Sequence, residues 1–127
     1  MGCNEDTAIY LIGLFDQGDR ALLKPLLDAG RNSDAALAEA LGTFYSEVLL
    51  KHPHLFLRAL VSRPLEEQRG LAYLAGGTDG GGMSDDDLRD VRRTLQHISQ
   101  QRRSRLALVA GICLIEINKA NAAARSR

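Results

Sequence analysis

A chain of 127 residues, 45% hydrophobic and 25% charged, has the length and composition of one ordinary globular core and fits no disordered, collagen-like or disulfide-framework class. Its 16 Lys and Arg balance 16 Asp and Glu, so there is no global pull toward nucleic acid or an anionic membrane. The charge is unevenly spread, with 14 acids and 7 bases in residues 1–87 against 2 acids and 9 bases in residues 88–127, a partition of −7 and +7. Trp is absent and the aromatics are three Phe and three Tyr, which disfavours a stacking site for bases or sugars.

Capping residues and turn residues divide the chain into helices. Asn4 or Asp6 suits the cap of a first helix over about 7–17 that ends at Gly18. Asp19 suits the cap of a second over about 20–29 that ends at Gly30. Ser33 caps a long helix near 34–51, on which Leu37, Leu41, Phe44 and Val48 recur at i, i+4, i+7 and i+11, the stripe of one helix face. The His52-Pro53 pair closes it, because a residue before proline is pushed out of the helical region. Residues 54–62 form a short helix carrying Leu55, Phe56, Leu60 and Val61. Pro64, Glu66 and Glu67 then open a fifth helix that ends in Gly76-Gly77.

The stretch Gly76–Met83 holds five glycines and reads as a mobile loop. Ser84-Asp85-Asp86-Asp87 has capping-box spacing and launches Leu88, Val91, Leu95 and Ile98 at helical intervals. The stripe lapses from Ser99 to Arg105 and resumes at Leu106, Val109, Cys113, Ile117 and Ala120, which predicts two helices joined by a short turn, with one bent helix as the alternative. The tail 122–127 reads as frayed. The apolar run Leu106–Ile115, which resumes at Ile117 after Glu116, is about half the ~20 residues that cross a bilayer, so it reads as a buried core helix with no transmembrane segment.

The fold class expected is therefore all-α, with six or seven helices in successive antiparallel hairpins. One domain spans 1–127, with hairpins over 6–75, the glycine loop at 76–83 and C-terminal helices over 84–121. Leu41, Phe44, Leu60, Leu74, Leu95, Val109 and Cys113 are its expected core.

The segment Ala21-Leu-Leu-Lys-Pro-Leu-Leu-Asp-Ala-Gly-Arg-Asn-Ser-Asp-Ala-Ala-Leu-Ala-Glu-Ala-Leu-Gly42 resembles a HEAT-type helical repeat. The likeness lies in a proline-broken first helix with paired leucines, a short polar turn, and an Ala-rich second helix. Residues 54–75 echo it, with a Leu-rich helix, a turn at Ser62-Arg63-Pro64, and Gly70-Leu-Ala-Tyr-Leu-Ala75. What the resemblance implies is a HEAT-like superhelix or irregular bundle that binds other proteins along a helix face, without chemistry of its own.

Each candidate for chemistry has a plainer competitor. Gly80-Gly81-Gly82 before a helix resembles a phosphate loop, but Asp85, Asp86 and Asp87 occupy the helix mouth and no Lys follows in P-loop spacing. Asp79 with Asp85–Asp87 would attract a cation, yet the alternating ligand spacing of an EF-hand is absent. His52 and His54 flank Pro53 and lack a third ligand nearby in sequence, with His97 joining only through tertiary folding. Cys113 lies on an apolar stripe and reads as a small buried hydrophobe rather than a nucleophile. Glu116, inside the apolar run, needs a partner such as an arginine if it is buried.

No catalytic residue, metal or cofactor is expected, and the chain reads as a non-enzymatic protein-interaction module. Its expected partner is another protein, acidic at the contact, with no nucleic acid. The contact residues are Arg102, Arg103 and Arg105, backed by Arg89, Arg92 and Arg93, between the last two apolar stripes. The guanidinium groups are also expected to cover the last carbonyls of the preceding helix. The alternative is a small ligand- or metal-binding helical bundle whose polar groups converge only in three dimensions. A further alternative concerns Cys3. Preceded by Met1-Gly2, it resembles the lipidated first residue of a mature envelope lipoprotein, which would place the chain in the cell envelope instead of the cytoplasm.

Overall fold

A computed structural model describes residues 4–77 and 83–125, and among the described residues there are seven α-helices and no strand. These are α1 (Glu5–Asp16), α2 (Leu23–Ala29), α3 (Ala35–Lys51), α4 (Pro53–Leu60), α5 (Leu65–Ala75), α6 (Asp85–Ser99) and α7 (Ala107–Arg125). Single 3-10 turns at Arg20–Leu22 and Gly30–Asn32 flank α2. The all-α class and the helix number agree with the sequence, and the lapse at 99–105 separates two helices.

Side chains cap some of the expected helix starts and not others. Asn4 rather than Asp6 caps α1, its Oδ1 accepting from the Thr7 N–H at 2.8 Å. Asp34, not Ser33, caps α3, because the helix begins one residue later than expected; Asp34 Oδ1 accepts from the Leu37 N–H at 2.8 Å, while Ser33 Oγ donates back to the Gly30 carbonyl. Asp19 makes no side-chain capping bond. The helix expected over 20–29 is split: Pro25 has no N–H to offer the Ala21 carbonyl, so the first turn tightens to 3-10 before α2 begins. At the other end α7 runs to Arg125 instead of fraying at residue 122, as Ala122, Ala123 and Ala124 have the highest helix propensity of any residue type.

Stripes become faces. Leu37, Leu41, Phe44 and Val48 are all buried, as are Leu88, Val91, Leu95 and Ile98. Six of the seven expected core residues are buried, but Leu74 only half so, because Leu71, Ala72 and Ala75 take the inward positions of α5. One core joins residues of all seven helices. Phe15 of α1 meets Phe44 edge-on at 5.0 Å, and Tyr45 bridges from Phe44 to Phe56 of α4. The buried Tyr45 hydroxyl donates to the Leu26 carbonyl of α2 at 2.6 Å, so a polar atom taken from water is given a partner. Ser46 Oγ lies 2.5 Å from the Ala75 carbonyl oxygen and ties α3 to the end of α5.

The order of packing alternates along the chain. The most extensive contacts of α5 are with α7 and α3, not with α4 and α6, its neighbours in sequence; α1 packs on α3. Smaller contacts link α2 to α4 and α4 to α6, while α3–α4 and α6–α7 pack as hairpins. Where α5 ends, Gly76 fits against Ile117 and Ala120 so closely that an added Cβ would stand 2.9 Å from Ile117 Cα and 2.8 Å from Ala120 Cβ. The end of α4 shares a recess with the residues just before α7, so α7 runs in the direction of α5.

One face of α7 is core: Val109, Ala110, Cys113, Glu116, Ile117 and Ala120 are buried. The opposite face is not, since Leu108 is 78% and Ile115 57% exposed, so the core helix expected here is buried along one face only. By length and hydropathy alone, Ala107–Ala124 would suffice to cross a membrane, and a third of that window is buried.

Candidate functional site

The turn between α6 and α7 holds its shape through its backbone and one hydroxyl. Gln100 and Gln101 donate their N–H groups to the Gln96 and Ile98 carbonyls, and the Ser104 N–H reaches the Gln101 carbonyl at 2.8 Å. Ser104 Oγ accepts from the Leu106 N–H at 3.1 Å, which starts the next helix. Arg102, Arg103 and Arg105 are exposed around this frame, and among the described residues none makes an ion pair or a side-chain hydrogen bond. The expectation that their guanidinium groups cover the last carbonyls of α6 is therefore corrected: backbone N–H groups and Ser99 Oγ do that. The backing arginines are partly engaged, Arg92 Nε donating to Asn118 Oδ1 at 2.6 Å and Arg89 lying 3.4 Å from Asp86.

Away from the start of α6, the ion pairs seen stay within one part of the charge partition. Arg31–Glu67, Arg63–Asp28 and Arg63–Glu67 pair within the first 87 residues. Glu116–Lys119 pairs within residues 88–127, and Asp86–Arg89 at the start of α6 joins near neighbours across residue 87. The basic turn thus faces water with its charge unspent.

Beside it lies a recess of about 370 Å³, lined by Arg58 and Val61 from the end of α4 and by Ser104, Arg105 and Leu106. Val61 and Leu106 are half-buried and pack on the core, so the floor is apolar and fixed; Arg58 and Arg105 are exposed on the rim. Nothing local in the sequence marks Arg58, since only tertiary folding brings α4 to the turn. The Leu108 and Ile115 face could have been found: these residues are seven apart and opposite the Val109, Cys113, Ile117 stripe.

The remaining candidates stay dispersed. His52, half-buried, lines a separate recess of about 320 Å³ with Phe15, Asp16, Arg20 and Phe44 among others. His54 is exposed, and His97 is exposed with its Nε2 3.1 Å from Gln101 Nε2. Among the described residues no three His, Cys, Asp or Glu side chains come together as metal ligands would. Ser84 Oγ accepts from the Asp87 N–H, so the Asp85–Asp87 turn is closed by its own cap.

Cys113 is fully buried and its thiol is pushed up to about 12 by desolvation, the opposite of an activated nucleophile. Glu116 is buried, and its Oε2 makes no hydrogen bond; its charge partner is Lys119, one turn on at 3.5 Å, and not an arginine, because helical spacing puts Lys119 alongside. Cys3, Asp79 and Gly80-Gly81-Gly82 lie outside the described residues.

Compared with protein-family models, with curated proteins and with solved structures, the chain finds no match.

Proposed function

We propose that the chain is a non-enzymatic protein-interaction module of helical-repeat type that docks an acidic partner on the basic turn Arg102, Arg103 and Arg105. The observation that carries this reading is that three guanidinium groups stand exposed and unpaired on an internally braced turn. Their planar forks suit bidentate pairing with carboxylates. The repeat-type part of the reading draws on the resemblance of residues 21–75 and on like-to-like stacking, in which α3, α5 and α7 pack in succession and α2, α4 and α6 touch in succession. Neither the recess at His52 nor the one beside the basic turn brings together two of His52, His54, His97, Glu116 and the Asp85–Asp87 group.

The test replaces all three arginines by serine in the full chain. The expected outcome is an unchanged circular dichroism spectrum and melting temperature, together with loss of the partners that the wild-type chain recovers from lysate at low salt and releases at high salt. Recovery that is insensitive to both salt and substitution would remove the basic turn as the docking site.

A further inference from the structure

The recess beside the basic turn has the features of an anchor pocket. Two stretches of chain meet there: one runs from Glu47 to Glu66, the other from Asp90 to Glu116, and between those bounds neither contains a single acid. They bring Arg58 and Arg105 to the rim of one recess, with Arg102 and Arg103 on the same turn just before Arg105, in a chain whose total charge is zero. Under these rim charges lies an apolar floor, Val61 and Leu106, held in place by core packing and by the Ser104 bond to the Leu106 N–H.

We infer that this recess receives one aliphatic side chain of an acidic peptide segment, whose flanking carboxylates pair with Arg58 on one side and with Arg102, Arg103 and Arg105 on the other. The inference rests on the docking reading above and adds what the partner must look like. A charge patch alone would reward any anion. A concave apolar floor of this size rewards a buried side chain as well, and burying one is a gain that a phosphate backbone cannot supply. A single-stranded nucleic acid would also want exposed aromatic platforms, whereas Phe56, the one Phe, Tyr or Trp of the two stretches, is fully buried. A membrane surface would be met by an exposed helix face such as that of Leu108 and Ile115, not by an apolar floor set below rim charges.

The experiment uses the full chain and a dye-labelled peptide of glutamates flanking one leucine. Comparison probes are the same peptide with serine for leucine, a single-stranded oligonucleotide and phosphatidylserine vesicles. The leucine peptide should bind about tenfold or more tightly than the serine peptide, which is the effect of one buried apolar side chain. Arg58→Ser, an exposed substitution on a different helix from the turn, should weaken the leucine peptide several-fold without changing the melting temperature.

Equal binding of the two peptides overturns the pocket. So does an Arg58→Ser protein that binds like wild type, or tighter binding of the oligonucleotide or the vesicles. If the peptides bind equally but the triple serine variant binds neither, the anchor is refuted while the docking reading stands. If no acidic peptide binds at all, both are refuted.

Discussion

At Leu41 the side chain has no contact with water and sits at the centre of the α3 stripe. Leu41→Ala should cost about 2–5 kcal/mol in denaturant unfolding, the range for emptying a closed leucine site. Cys113 makes a different kind of prediction. Its folded pKa is raised to about 12, while in the unfolded chain a thiol titrates near 8.5. Its contribution to stability is thus complete below about pH 8.5 and is lost as pH rises toward 12, by up to ~1.4 kcal/mol per pH unit. Cys113→Ala should flatten that alkaline slope relative to wild type, as read by unfolding at a series of pH values. In the native protein the peptide carrying Cys113 should resist alkylation until denaturant is added, as mass spectrometry would show.

Among the helices, α5 and α7 set the tolerance of the fold to added volume. Gly76→Ala would drive a methyl group into the backbone of Ile117, and neither helix can yield without loosening the contact between them; the expected loss is about 1–3 kcal/mol. Gly111 gives the opposite result. It lies within α7 with open space around it, so Gly111→Ala should raise stability by up to about 1 kcal/mol through helix propensity alone. Thermal melts of the two variants check the pair. These helices were legible in the sequence because a face 3.6 residues in period is a local property, and Leu88, Val91, Leu95 and Ile98 announce it without help from neighbours. Which helix lies beside which was not legible. The fit of Gly76 against Ile117 depends on residues 41 apart, and among the apolar residues of 71–75 the sequence does not mark Leu74 as the one left half-buried.

For the molecule as a whole, the succession α3, α5, α7 carries the most extensive contacts between helices that are not neighbours in sequence. Amide hydrogen exchange should be slowest along these three helices and fastest over Asp16–Arg20 and Gln100–Arg105, where few apolar contacts hold the chain. Uniform exchange along the chain would mean that the alternating order of packing does not govern stability. The candidate site divides in the same way between local and long-range information. Arg102, Arg103 and Arg105 could be read directly, as a basic interruption between two apolar stripes. Arg58 and Val61 could not, because nothing in residues 53–61 hints that the end of α4 closes over a turn more than forty residues later.

The hydroxyl of Tyr45 has an optical consequence. With Trp absent, near-ultraviolet absorption and emission come chiefly from three tyrosines, of which Tyr10 is 66% and Tyr73 37% exposed while Tyr45 is fully enclosed and bonded to the Leu26 carbonyl. Two of the three rings already sense solvent in the native state, so the spectral change on unfolding is dominated by one ring at the junction of α2, α3 and α4. Tyr45→Phe, at a cost of about 1 kcal/mol for the lost bond, should abolish most of the tyrosine signal while circular dichroism still reports the melt. The wild-type chain thus reports the separation of α2, α3 and α4 without a label.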